Sequence, residues 1–256
     1  MELHENETFF FDLGRTLWNW KEFRPGASDL LESLKSTGRN VYFHTDNTLL
    51  SRKGYADKLT EMGFKTTEDQ VITSGYVTGQ ELSKRGVTEV YVAGESGLVS
   101  EIEEAGIDIT EDADYAVLGF DRSFSYNKLE KINDIVNDGG KILICSSEKF
   151  FQHGDEVRLH QKPFNSAVQE FTEPELTGKP SEVYRRHFKN YFSFFPGKSA
   201  FIGDRTADMV TGNSLGMTTA AVMNGAIDEE ELRQSEDKEI PDYALTSLHK
   251  LRRRII

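Results

Sequence analysis

The sequence predicts an α/β protein in two parts, a parallel-sheet core and a second α/β unit inserted into it, and three observations predict it. Apolar runs that read as buried parallel strands end on polar residues at three places: Phe9-Phe10-Phe11 on Asp12, Val41 to His44 on Thr45-Asp46-Asn47, and Ala200 to Gly203 on Asp204. Short apolar strands alternate with amphipathic helices, the pattern of right-handed βαβ units around a parallel sheet. From Ser74 that alternation starts afresh, in a stretch that holds none of the strand-ending motifs. The core is therefore assigned to residues 1–73 and 175–256, and the insertion to residues 74–174.

Each element carries its own signal. The run Phe9 to Phe11 suits a strand covered on both faces, and Gly14 turns the chain after it. Leu30, Leu31 and Leu34 mark one helix face after Pro25-Gly26, and a strand over Val41 to Thr45 follows. A helix over about Arg52 to Met62 ends at Gly63, where glycine takes a left-handed cap without steric cost. In the insertion, helices are expected near Val77 to Lys84, Leu98 to Ala105 and Tyr126 to Asn137. Its strands are expected at Val90 to Val92, Tyr115 to Leu118 and, after Gly139-Gly140, Lys141 to Cys145. Residues 146–164 read as an irregular polar connection, of a length that usually carries function or disorder. The core resumes by Lys179 with a helix over Ser181 to Phe188, a strand over Ser199 to Ile202, a helix over Ala207 to Leu215 closed by Gly216, and a strand over Thr218 to Val222. Arg252-Arg253-Arg254 end a last helix, where cations favour the dipole. Trp18 and Trp20 read as packing or a flap.

Composition narrows the partners. A net charge of −13 over 256 residues argues against a nucleic-acid backbone, which would need clustered Lys and Arg. No apolar run approaches the ~18 residues of a membrane span, and the start, Met1-Glu2-Leu3-His4-Glu5-Asn6-Glu7, is too acidic for a signal peptide. The single cysteine, Cys145, reads as a buried small hydrophobe that forms no disulfide within the chain, which fits a reducing cytoplasm. His4, His44, His153, His160, His187 and His249 show no paired metal-ligand spacing.

The segments Asp12-Leu13-Gly14-Arg15-Thr16, Thr45-Asp46-Asn47, Gly178-Lys179-Pro180 and Gly203-Asp204-Arg205-Thr206-Ala207-Asp208, in that order, resemble the four motifs of the haloacid dehalogenase-like phosphatases. The chain is most similar to the NagD-like branch, p-nitrophenylphosphatases and nucleotidases with a large α/β cap between the second and third motifs. Thr73 to Thr78, Val90 to Glu95 and Gly119 to Arg122 look like segments of that cap, so the resemblance covers nearly the whole chain. It implies a Rossmann-like core with a C2-type cap, Mg2+ as cofactor and a small phosphorylated metabolite as partner, with neither nucleic acid nor membrane. A homodimer is allowed. By the family's motifs Asp12 would be the nucleophile, forming an aspartyl-phosphate, with Thr45 and Lys179 as the other catalytic groups. Asp12, the Gly14 carbonyl, Asp204 and Asp208 would hold Mg2+, and Arg15, Thr45, Asp46, Asn47, Glu148 and Lys179 would meet the substrate. These residue types suit phosphoryl transfer, which needs an in-line nucleophile, a hard cation that takes oxygen ligands, and fixed positive charge.

Position 14 departs from the family, whose second aspartate protonates the leaving oxygen and later activates water. The family's Asp-Gly is here Gly14-Arg15. Losing a positioned acid/base costs about 10²–10⁴ in rate. Because glycine tolerates positive φ, the turn is expected to relax at Gly14, with Arg15 pointing at phosphate or outward into solvent. Asp46 stands for an asparagine, Asp208 follows Asp204 by four residues rather than five, and Ser146-Ser147-Glu148 and Lys162-Pro163-Phe164 replace cap signatures. Two readings stay open: a slowed Mg2+-dependent phosphatase, and an inactive pseudo-phosphatase that binds a phosphorylated metabolite or a partner. The long insertion disfavours a third, a stand-alone phospho-acceptor.

Overall fold

The computed structural model describes residues 2–223, 227 and 229–256. The chain starts with β1 (Thr8–Asp12), α1 (Ala27–Ser36), β2 (Asn40–Thr45), α2 (Arg52–Glu61) and β3 (Val71–Thr73). It continues through α3 (Ser74–Lys84), β4 (Glu89–Ala93), α4 (Ser96–Glu104), β5 (Asp108–Ile109), β6 (Tyr115–Leu118), α5 (Tyr126–Asn137) and β7 (Lys141–Ile144). The strands β8 (Phe150–His153) and β9 (Glu156–Leu159), α6 (Lys162–Gln169) and β10 (Glu175–Leu176) follow. Last come α7 (Glu182–Tyr191), β11 (Ser199–Gly203), α8 (Thr206–Leu215), β12 (Thr218–Val222), α9 (Glu229–Gln234), β13 (Tyr243–Leu245) and α10 (Leu248–Ile255).

Two parallel sheets result, one of six strands in the order β13-β12-β11-β1-β2-β3 and one of five in the order β10-β7-β6-β4-β5. In the first, β1 lies between β11 and β2, with Phe10 level with both Phe201 and Tyr42. Successive side chains of β1 enter opposite layers, as the strand period demands. Phe9 and Phe11 join Leu30, Leu31, Leu34 and Leu251 on one side, while Phe10 meets Phe188, Phe192 and Phe201 on the other. All three phenylalanines are fully buried, each stabilising the fold by roughly 1.5–3 kcal/mol. The second sheet packs Ile132 and Ile135 of α5 on one side and Leu98 and Ile102 of α4 on the other. Helix α3 begins at Ser74 because Thr73 Oγ1 accepts a hydrogen bond from Tyr76 N at 3.0 Å.

The stretch 146–164, expected to be irregular, instead forms the antiparallel ribbon β8–β9 and the start of α6. Its strands are wet or half-wet along their length, so no apolar alternation betrays them. Gly154 supplies the turn at φ 64°, and Pro163 opens α6 from its first turn. The ribbon is clasped to the loop after β1: Gly154 N donates to Asn19 O at 2.7 Å and Arg24 Nη1 to Gln152 Oε1 at 3.0 Å. Strand β10 pairs with β7 of the second sheet, just past residue 174. Cys145 is buried, and no helix among the described residues is long and apolar enough to cross a membrane.

Candidate active site

Asp12, Thr45 and Asp204 lie at or just past the carboxyl ends of β1, β2 and β11. From β1 the chain runs outward one way through β2 and β3 and the other way through β11 to β13. That reversal opens a crevice beyond the strand ends, where open α/β sheets bind their ligands.

Lys179 enters the crevice from the loop between β10 and α7, with a cis bond to Pro180. Gly178 passes so close to the Cys145 carbonyl that a Cβ would collide with it. Lys179 N donates to Asp46 Oδ1 at 3.2 Å, fixing the backbone. Its Nζ lies 2.9 Å from Asp12 Oδ1, 2.5 Å from Asp208 Oδ1 and 2.9 Å from His44 Nδ1. Among the described residues Asp12, His44 and Asp208 are the one cluster of three His, Cys, Asp or Glu side chains whose ligand atoms lie close enough to share a metal, and the Lys179 ammonium sits between them.

The electrostatics follow from this cradle. Burial works against charge on Lys179, but Asp12, Asp208 and Asp46 outweigh it and hold the amine protonated. Burial also raises Asp208, yet Lys179 and Arg205 bring it well below the ordinary carboxylate range. Burial pushes Asp12 well up against the pull of Lys179, which makes it the weaker acid of the two carboxyls on Lys179. Burial and Lys179 push His44 well down, so its neutral Nδ1 accepts from the ammonium. Its ring stacks on Phe201 with centroids 4.0 Å apart. Asp208 Oδ2 accepts from the backbone N of Asp204 and of Arg205 at 3.3 and 3.2 Å. Both oxygens of Asp208 are thus engaged, so it positions Lys179 and the 204–205 loop.

Arg205 forms a second centre. Its Nη2 lies 3.3 Å from Asp46 Oδ2, 3.0 Å from Glu148 Oε1 and 3.6 Å from Asp208 Oδ1. Glu148 comes from the connection after β7, so this pair ties the second sheet to the first. Burial lifts Asp46 to about 6 against the pull of Lys179 and Arg205.

The turn after β1 departs from its expectation. The positive φ, 59°, falls on Arg15, and Gly14 is outside the left-handed region. Leu13 N donates to His44 O and Arg15 N to Trp18 O, at 3.2 and 3.0 Å, and Gly14 bridges to Trp18. These bonds fix the turn whichever residue carries the glycine. The Arg15 side chain, 15% exposed, places Nε 3.1 Å from Asp204 Oδ2. It points at a carboxylate of the site rather than outward into solvent. Burial raises Asp204 to about 6, with Arg15 the largest opposing influence.

Thr45, Asn47, Arg15 and Glu148 line a cavity of about 20 Å³ beside Trp18, Trp20 and Tyr55, room for about one water. Asp46 is fully buried with both oxygens engaged, so it lies behind that surface. Thr45 Oγ1 accepts from Asn47 N at 3.2 Å, and Tyr55 Oη donates to Asn47 O at 2.8 Å. His44 and Arg205 escaped the reading of the sequence. The signals were a lone imidazole in a buried apolar strand and a cation directly after a strand-ending aspartate.

The haloacid dehalogenase-like hydrolase family model matches residues 9–108, and a second model of HAD-like hydrolases matches residues 176–251. The chain is 28% identical over 253 residues to the 5'-nucleotidase YutF of Bacillus subtilis, covering 94% of this chain and 95% of that protein. A 4-nitrophenylphosphatase of Thermotoga maritima superimposes with a TM-score of 0.88 at 26% identity, over 99% of both chains. NagD of Escherichia coli shares the fold, with a TM-score of 0.83 at 20% identity over 95% of this chain and 97% of the other. The chain belongs to the haloacid dehalogenase-like superfamily.

Proposed function

We propose that this protein is a Mg2+-dependent phosphatase that hydrolyses a small phosphomonoester through an aspartyl-phosphate on Asp12, slowed by the missing acid/base at position 14. One observation carries the reading: the buried Asp12–Lys179 pair at the switch point of the sheet, with 2.9 Å between Lys179 Nζ and Asp12 Oδ1. An oxygen of Asp12 forms the new bond to phosphorus as the ester bond breaks, its electron pair leaving with the departing oxygen. Water then attacks phosphorus and Asp12 regains its carboxylate. Lys179 keeps positive charge beside Asp12 through both halves, and Thr45 offers a hydroxyl to a phosphoryl oxygen.

The donor set fits a divalent metal. Five carboxylates, Asp12, Asp46, Glu148, Asp204 and Asp208, meet three cations, Arg15, Lys179 and Arg205, with Arg24 at the margin. The site is left net negative and rich in hard oxygen donors, which suits Mg2+. Asp12, the Gly14 carbonyl and Asp204 would hold the ion, which when bound neutralises the phosphoryl oxygens. With no side chain at position 14, the leaving oxygen takes its proton from solvent, so esters of acidic alcohols such as p-nitrophenol suffer least. The second sheet with its helices, residues 74–174 in the first reading and up to β10 by strand pairing, would act as the cap. Opening at the Glu148–Arg205 contact would admit the substrate. The lone buried cysteine suits a reducing cytoplasm.

Phosphate release from p-nitrophenyl phosphate with MgCl2 or with EDTA tests the proposal. Release that needs Mg2+ and disappears in D12N is expected. A rate no higher than that of D12N would favour the pseudo-phosphatase reading, to which the Arg15–Asp204 pair lends support.

A further inference from the structure

We infer that Arg15 is a tethered competitor for the divalent metal, a side chain that lowers the affinity of the site for Mg2+ by pairing with Asp204. The inference rests on the reading above that Asp204 is a metal ligand. The guanidinium Nε lies 3.1 Å from Asp204 Oδ2, and Asp204 is fully buried. A guanidinium held there and a divalent ion on the same carboxylate repel each other across a buried, poorly screened site. Metal entry must displace the arginine or bind beside it. In the first case apparent affinity falls in proportion to the fraction of time the carboxylate is free, and in the second it falls by the repulsion between the two cations.

The backbone strengthens the case. Arg15 stands at φ 59°, where a glycine would sit without strain, and bonds from Arg15 N to Trp18 O and from Leu13 N to His44 O hold the turn in place. Nothing about the turn therefore requires an arginine. Its side chain is nevertheless drawn inward to 15% exposure, against the general preference of arginine for water. Two other cations of the site have their own acids: Lys179 has Asp12 and Asp208, and Arg205 has Asp46 and Glu148. Arg15 lies within ion-pair distance of Asp204, where the ion would enter, with Arg24 close enough for Asp204 to act on it as well. Arg15 acts through Asp204 and not on the reacting atoms, and it raises the free Mg2+ concentration at which the site fills.

The test is metal binding without substrate, read in the full chain as the rise in Tm with MgCl2 and as quenching of the Mn2+ EPR signal. The wild type, R15G, R15Q, R15K and D204N are compared. R15G suits the left-handed backbone, and R15Q keeps a side chain while removing the charge. Both are expected to reach half-saturation at a tenfold or lower metal concentration than wild type, whereas R15K stays near it. Equal or weaker metal binding in R15G and R15Q overturns the inference while leaving the metal site standing. Undiminished binding in D204N, or no binding in any of the five proteins, overturns the underlying metal assignment instead.

Discussion

The lysine cradle and the turn at Gly14-Arg15 share one crevice, yet their parts are held by different means. In the cradle Lys179 and Asp208 are each held from more than one side. Lys179 is held through its backbone by Asp46 and through Nζ by Asp12, Asp208 and His44, while Asp208 also caps the start of α8. Removing Lys179 would leave the buried Asp12 and Asp208 without their cation, and breaking such a buried pair costs about 3–5 kcal/mol. In the turn the backbone bonds fix the path, and a single side-chain pair, Arg15–Asp204, reaches a buried charge. The cradle couples stability to chemistry through several contacts, whereas the turn does so through that one pair.

The sharpest break of that comparison is K179A. It is expected to lower turnover of p-nitrophenyl phosphate by at least about 10²–10³ and to destabilise the protein by about 3–5 kcal/mol in chemical denaturation. Turnover within tenfold of wild type would show that the cradle is not the reacting region. On the other side, G14D/R15G should keep the wild-type fold and lose stability only through the missing Arg15–Asp204 pair. A Cβ at Gly14 meets only Asp12 Oδ2, at 4.0 Å, and glycine suits the φ of 59° at position 15. Alkyl phosphate hydrolysis should rise by up to about 10²-fold, and p-nitrophenyl phosphate hydrolysis by less, since only the former depends heavily on protonation of the leaving group. Equal gains on both substrates would assign the defect to metal binding instead.

A third charged cluster sharpens the contrast because it carries stability alone. Glu81 of α3 accepts from Arg85, Arg186 and His187 at 2.9, 2.5 and 2.8 Å. Burial raises its pKa, but these bonds outweigh burial and bring it from 4.5 to about 2. A depressed folded-state value stabilises above the unfolded one, so this contribution is complete above about pH 4.5 and is lost as pH falls toward 2. E81Q should cost about 2 kcal/mol at pH 7, flatten the acid limb of the stability curve and leave KM unchanged. The smallest effect expected is that of Q152A, which removes the bond to Arg24 across the clasp. A few-fold rise in KM with unchanged Tm would mark the ribbon as a substrate element.

What the sequence disclosed follows the same division. Asp12, Thr45, Lys179 and Asp204 were legible because each ends an apolar strand or sits in a motif of fixed spacing, and the parallel sheet delivers such ends to one crevice. The direction of Arg15 was not legible, since it depends on bonds from Trp18 and His44 that no local pattern announces. The role of His44 was hidden for a related reason: its partner Lys179 is brought beside it only by the fold. The ribbon β8–β9 escaped because neither of its faces is dry enough to impose alternation.

The most direct measurement is rapid acid quench of the wild type mixed with p-nitrophenyl phosphate and MgCl2, followed by intact-mass analysis and peptide mapping. An unassisted second water makes breakdown of the aspartyl-phosphate slow, so a burst of nitrophenolate and a phosphorylated protein labelled at Asp12 are predicted. Linear nitrophenolate release with no phosphorylated protein, or a label on another residue, would contradict the account.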